Sequence, residues 1–179
     1  MNTYIALFRG INVGGTGILP MKELVVLLEE LGCTGVKTYI QSGNAVFRHR
    51  AAAPGLTRKI RAAVHSARGF EPEVLLLTPD HIARAAASNP FPEGEEDPSR
   101  LHLSFLAARP KQPDLALLEG LRSGRERFAL KKDIFYMHAP DGIGRSKLAA
   151  KVEKALGVPA TGRNWRTVQK VLELARSMH

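Results

Sequence analysis

The chain has 179 residues, 44% of them hydrophobic, which suits one domain or two small units sharing a core and excludes global disorder. Its formal net charge is +9, with a pI near 10.1, a balance that points to polyanionic partners where the charge is clustered. It is clustered: from Gly142 to His179 eight Lys/Arg face two Glu, a net +6, which reads equally as a binding surface or as a solvated basic face.

Thr3–Arg9 (TYIALFR) reads as a strand, rich in aromatic and β-branched residues. Gly10–Leu19 is a loop with four glycines, and Pro20 opens a helix at the position where a missing N–H costs nothing. Met21, Leu24, Val25, Leu28 and Leu31 recur at three- and four-residue spacing, so one face of this helix is buried, and Gly32 closes it. Val36–Ile40 and Asn44–Arg48 are strands joined by the turn Gln41-Ser42-Gly43. Beyond a small-residue linker, Arg50–Pro54, a second helix carries Leu56, Ile60, Ala63, Val64 and Ala67, and Glu73–Leu77 is a fourth strand. The order βαββαβ is that of a ferredoxin-like unit.

Thr78-Pro79-Asp80 caps a third helix running to about Ser88, and NPFPEGEEDPS (Asn89–Ser99) is expected to be an exposed loop or lid. The order then restarts. Leu101–Ala107 is a strand, Pro113–Leu121 a helix, Arg127–Lys131 and Ile134–His138 a strand pair, and Arg145–Leu156 a helix ending at Gly157. Thr161 is expected to cap a last helix to about Ser177. The expected fold is α+β: two ferredoxin-like (βαββα) halves packed together with a C-terminal helix. The halves are placed at residues 1–78 and 100–179, with residues 79–99 as a linking helix and acidic proline-rich loop, and the second half carrying the basic helices.

Three loops could carry chemistry. Arg9-Gly10-Ile11-Asn12-Val13-Gly14-Gly15-Thr16-Gly17 lies between a strand and a helix, where backbone N–H groups can form an anion nest beside Arg9. It matches neither the Walker pattern nor GxGxxG, and a tight turn needing positive φ is the competing reading. Gln41, Ser42 and Asn44 offer amides and a hydroxyl at a hairpin, for a polar ligand or for the turn's own backbone. Gly142-Ile143-Gly144-Arg145-Ser146-Lys147 enters a helix directly, so its N–H groups, Ser146 and Lys147 could hold a phosphate, or merely cap the helix. Thr161-Gly162-Arg163-Asn164-Trp165-Arg166-Thr167 repeats that pattern, with Asn164 as a further capping candidate and Trp165 better placed in a core than as a stacking platform.

The histidines at 49, 65, 81, 102, 138 and 179 have no metal-ligand spacing, although His102 and His138 lie in strands and could meet. The single cysteine, Cys33, excludes an intramolecular disulfide, and its place after a helix fits a small buried hydrophobe. No apolar run approaches the ~18 residues of a spanning helix, and the start lacks a signal-peptide pattern. A cytoplasmic protein without a membrane partner is expected.

ALFRGINVGG, then PMKELVVLLEELG, TYIQSGNAVF, GRSKL and ATGRNWRTV, together resemble the DUF1697 family of bacterial proteins over nearly the whole chain. The resemblance implies two ferredoxin-like subdomains and names no activity or cofactor. Its polar motif positions fall on Arg9, Asn12, Gln41, Ser42, Asn44, Ser146, Lys147, Thr161, Arg163, Asn164 and Thr167. Members commonly carry a segment like GGKNKIPM after the first loop. Here Thr16 and Ile18 stand where those lysines would be, which shifts the expected anion site towards the C-terminal half.

Three readings follow. The first is a binding module for phosphate-bearing ligands or nucleic acid through basic helix N-termini; only 6% of the chain is aromatic, which disfavours base stacking and favours contact with the phosphate backbone. An enzyme acting on a small anionic metabolite in a cleft between the halves is the alternative, with the acidic loop as its lid. A scaffold whose polar motifs brace loops is the third.

Overall fold

The structure is a computed structural model that describes residues 1–178. It contains two four-stranded antiparallel sheets, ordered β2-β3-β1-β4 and β6-β7-β5-β8, each the 4-1-3-2 arrangement of a ferredoxin-like βαββαβ unit. One compact unit comprises residues 1–84 and the segment from Gln169 onward; the other is Ala85–Val168.

In the first unit, β1 (Asn2–Arg9) pairs with β3 (Asn44–His49) and β4 (Glu73–Leu77), and β2 (Thr34–Tyr39) adds to β3. Alternation along β1 sends Tyr4, Ala6 and Phe8 to one face. There they meet Leu24 and Leu28 of α1 (Met21–Glu30) and Leu56, Ile60 and Val64 of α2 (Ala53–Arg68). Each Leu, Ile, Val or Phe side chain among them contributes about 1.5–3 kcal/mol by leaving water. Ile5, Leu7 and Val46, on the opposite face, are buried as well. Helix α1 ends as its composition demands: Gly32, at φ 88°, lets its own N–H reach Glu29 O at 2.9 Å and that of Cys33 reach Leu28 O at 3.0 Å, the paired bonds of a Schellman cap. Helix α2 starts at Ala53 with Pro54 in its first turn, so the expected linker 50–54 supplies the helix start.

Helix α3 (Pro79–Ala87) follows, with Thr78 Oγ1 accepting from His81 N. The unit boundary falls within it. In the second unit, β5 (Leu101–Leu106) pairs with β7 (Ile134–His138) and β8 (Ala160–Asn164), while β6 (Arg127–Lys131) flanks β7. Leu106, Phe135 and Met137 pack against Leu118 of α4 (Leu115–Leu121) and Leu148, Val152, Ala155 and Leu156 of α5 (Lys147–Leu156).

Two expectations are corrected. Thr161 does not cap the last helix. It lies in β8, and α6 (Trp165–Arg176) starts after Asn164. β8 is a five-residue edge strand interrupted by Gly162, a weak local signal for a strand, and tertiary pairing of Thr161 with Phe105 and Arg163 with Leu103 makes it one. Nor is Asn89–Ser99, largely exposed as expected, without regular structure. Pro92–Glu96 forms a 3-10 helix, anchored because Phe91 and Gly94 are buried.

Candidate functional site

The first group of expected site residues, Arg9, Asn12, Gln41, Ser42 and Asn44, lies at one end of the first sheet. Arg9 is the half-buried last residue of β1, opposite Glu73. Asn12 sits in the left-handed region at φ 53°, where its side chain closes the glycine loop on itself. Nδ2 donates to Leu19 O at 2.8 Å and to Gln41 O at 2.9 Å, and Oδ1 accepts from Leu19 N at 2.8 Å. The backbone does the same: Asn12 N donates to Gly17 O and Thr16 N to Val13 O. Three of the amides that an anion nest would aim at a ligand are therefore engaged within the loop.

The hairpin is built alike. Asn44 is fully buried, its Nδ2 donating to Tyr39 O at 2.9 Å and standing 3.4 Å from Ser42 Oγ. Gly43 has φ 91°, and a Cβ there would come within 2.7 Å of Phe8 Cβ, so only glycine passes between the hairpin and β1. Gln41 and Ser42 are exposed, beside Ile40, a β-branched residue at φ 51°.

The second group, Ser146, Lys147, Arg163, Asn164 and Thr167, is placed by sheet topology. β7 and β8 both run antiparallel to β5, so both end where β5 begins: Leu101 faces His138, and His102 faces Asn164. Each then feeds a helix, β7 through residues 139–146 into α5 and β8 directly into α6. Ser146 Oγ accepts from Ala149 N at 3.1 Å and Asn164 Oδ1 from Thr167 N at 2.9 Å. Ser146, Asn164 and the buried Thr167 are thus cap partners, while a cap satisfies only part of a first turn's donors. Lys147 and Arg166 are exposed on those first turns.

Arg163 is half-buried on β8, with Nη1 donating to Gly162 O at 2.8 Å. Burial pushes its guanidinium down to about 10, since a desolvated cation is disfavoured.

Further arginines gather at this sheet end that local spacing did not single out. Arg127 begins β6 opposite His138, Arg100 precedes β5, and Arg125 pairs with Asp141. Acidic groups face them. Glu93 pairs with Arg127, and Asp97 Oδ2 lies 3.7 Å from Arg100 Nε. The Ser99 hydroxyl, then Arg100 and Arg166, hold the Asp97 carboxyl below its usual range.

His138 stacks on Phe91, ring centroids 6.4 Å apart. Its Nδ1 and His102 Nε2 are buried with no hydrogen-bond partner, and burial first of all lowers both imidazoles below their ordinary value. Among the described residues no group of three His, Cys, Asp or Glu could hold a metal ion, and no helix is long and apolar enough to cross a membrane. Cys33 is buried, its thiol pushed up to about 11 by desolvation, which removes the thiolate a nucleophile needs.

The chain is similar over 97% of its length to 98% of a solved chain, a conserved bacterial protein, SP0830, from Streptococcus pneumoniae, at 26% identity and a TM-score of 0.68. No curated protein matches it in sequence. The model of the family described as "Protein of unknown function (DUF1697)" matches residues 1–136. With most of its length under that model, the chain belongs to the DUF1697 family.

Proposed function

We propose that this chain is a binding module for phosphate-bearing ligands, nucleic acid among them, and that its site is the end of the second sheet from which α5 and α6 start. The observation that carries the reading is the pairing of two capped helix N-termini with exposed cations, Lys147 on one first turn and Arg166 on the other. A helix start bears about half a positive charge and unsatisfied N–H donors, which together suit an anion. Arg163, stripped of part of its hydration, would bind an anion at lower desolvation cost than an exposed lysine. In the first unit, by contrast, Asn12 and Asn44 are committed to bracing loops, which supports a site in the second.

The mode would be contact with phosphates rather than bases. Trp165 and Phe91 at this sheet end are buried, so neither presents a face on which a base could stack.

Fluorescence anisotropy of labelled single- and double-stranded oligonucleotides across a salt series tests the reading. Binding by the wild type should survive ~150 mM salt. Lys147→Ala with Arg166→Ala should weaken it about equally for all sequences and reduce the salt slope by about 1.8 on duplex DNA. Unchanged affinity and slope in that variant would remove the site from the second sheet.

A further inference from the structure

The acidic segment beside this sheet end has a geometry of its own. Residues 93–97 cross the row of strand ends from β6 towards α6. At one end Glu93 pairs with Arg127, whose guanidinium lies 4.9 Å from the Phe91 ring centroid. In the middle Gly94 sits against His138 and Leu101. A Cβ at Gly94 would come within 3.1 Å of His138 Cδ2 and 3.3 Å of Leu101 Cβ, so the glycine is what lets the strap lie flat. At the other end Asp97 faces Arg100 and Arg166. Local bonds fix the path: Gly94 N donates to Phe91 O and Arg100 N to Asp97 O, both at 2.9 Å, while Asn89 Nδ2 donates to Glu95 Oε1 at 2.9 Å.

We infer that residues 93–97 form an internal competitor for the phosphate site: the carboxylates of Glu93 and Asp97 occupy the arginines at the sheet end, and a phosphate-bearing ligand must displace them. This rests on the reading of that sheet end as a phosphate site. Three features support it. The carboxylates meet arginines on three different elements, β6, the start of β5 and the first turn of α6. Those contacts are solvent-exposed, the Arg127–Glu93 side chains at 46% and 47% and Arg100–Asp97 at 41% and 62%, and exposed ion pairs are weak and exchange readily. The segment has a buried anchor, Phe91, so its carboxylates can leave the arginines while the chain stays attached. A weak built-in anion of this kind selects for ligands of high charge density, because one carboxylate is easily outcompeted by several adjacent phosphates and poorly by a single carboxylate ligand.

The test compares the double variant Glu93→Gln, Asp97→Asn with a charge-matched control, Glu29→Gln, Glu30→Gln, on the exposed side of α1, against the same labelled duplex DNA over a salt series. Removal of the two carboxylates that neutralise these arginines should steepen the log affinity–log salt slope by about 1.8 in the strap variant; the control should share its gain in net charge without the steeper slope. An equal slope change in both variants, or none in the strap variant while the wild type binds, overturns the competitor and leaves the phosphate site standing. If neither the wild type nor the strap variant binds duplex DNA, the site itself fails and the competitor with it.

Discussion

Asn12 holds a left-handed backbone that asparagine tolerates far better than other L-residues. From there one amide serves two carbonyls and one N–H across the loop and the neighbouring hairpin. Asn12→Ala leaves these partners unpaired and adds strain, so stability should fall by about 1–3 kcal/mol, read as a lower urea midpoint at unchanged m. Polyanion binding at the second sheet should not change beyond that. The same residue shows where a sequence falls short. Its chemistry, an amide beside glycines, is visible in the chain; its direction is not, because the partners are Leu19 and Gln41, which only the closed loop brings near. Gly43 is the converse case: its need for positive φ is readable from the turn, but the approach of Phe8 and Ile11 that forbids any side chain is not.

At the scale of elements, helix periodicity and β-rich runs made the helices readable, and the strands β4, β6 and β7 fall where expected. β8 escaped notice because Ala-Thr-Gly-Arg-Asn has little intrinsic strand character and becomes a strand through its pairing with β5. The cap chemistry of α5 and α6 was readable as residue types. The convergence of both helix starts with Arg100 and Arg127 was not, since it follows from the 4-1-3-2 strand order. The caps give a test that separates stability from binding. Ser146→Ala should cost about 1 kcal/mol of stability by removing the acceptor for Ala149 N, whereas Lys147→Ala, one residue along, should leave the urea midpoint nearly unmoved and weaken oligonucleotide binding.

For the molecule as a whole, acid sensitivity follows from two histidines held neutral. Around His138, burial, Arg127 and Arg125 oppose the proton and Asp97 favours it; around His102, burial, Arg100 and His138 oppose it against a backbone bond at Ser99. Both folded-state values lie below the 6.5 of an unperturbed imidazole, so below that pH the unfolded chain binds more protons than the folded one. Stability should be full above about pH 6.5 and decline as pH falls through it. Urea denaturation at pH 7.5 and 5.0 checks this, and His138→Gln with His102→Gln should shrink the difference. The discontinuous first unit has another consequence, one of timing. Val171, Leu172 and Ala175 are buried, Lys37 Nζ donates to Ser177 Oγ, and Gly35 lies beside Met178. These parts of the first unit leave the ribosome only after all of Ala85–Val168. At ~5–20 residues per second, the first unit waits several seconds beyond the synthesis of its own sheet, and a chain truncated after Val168 would hold every residue of the second unit and lack the closing segment of the first.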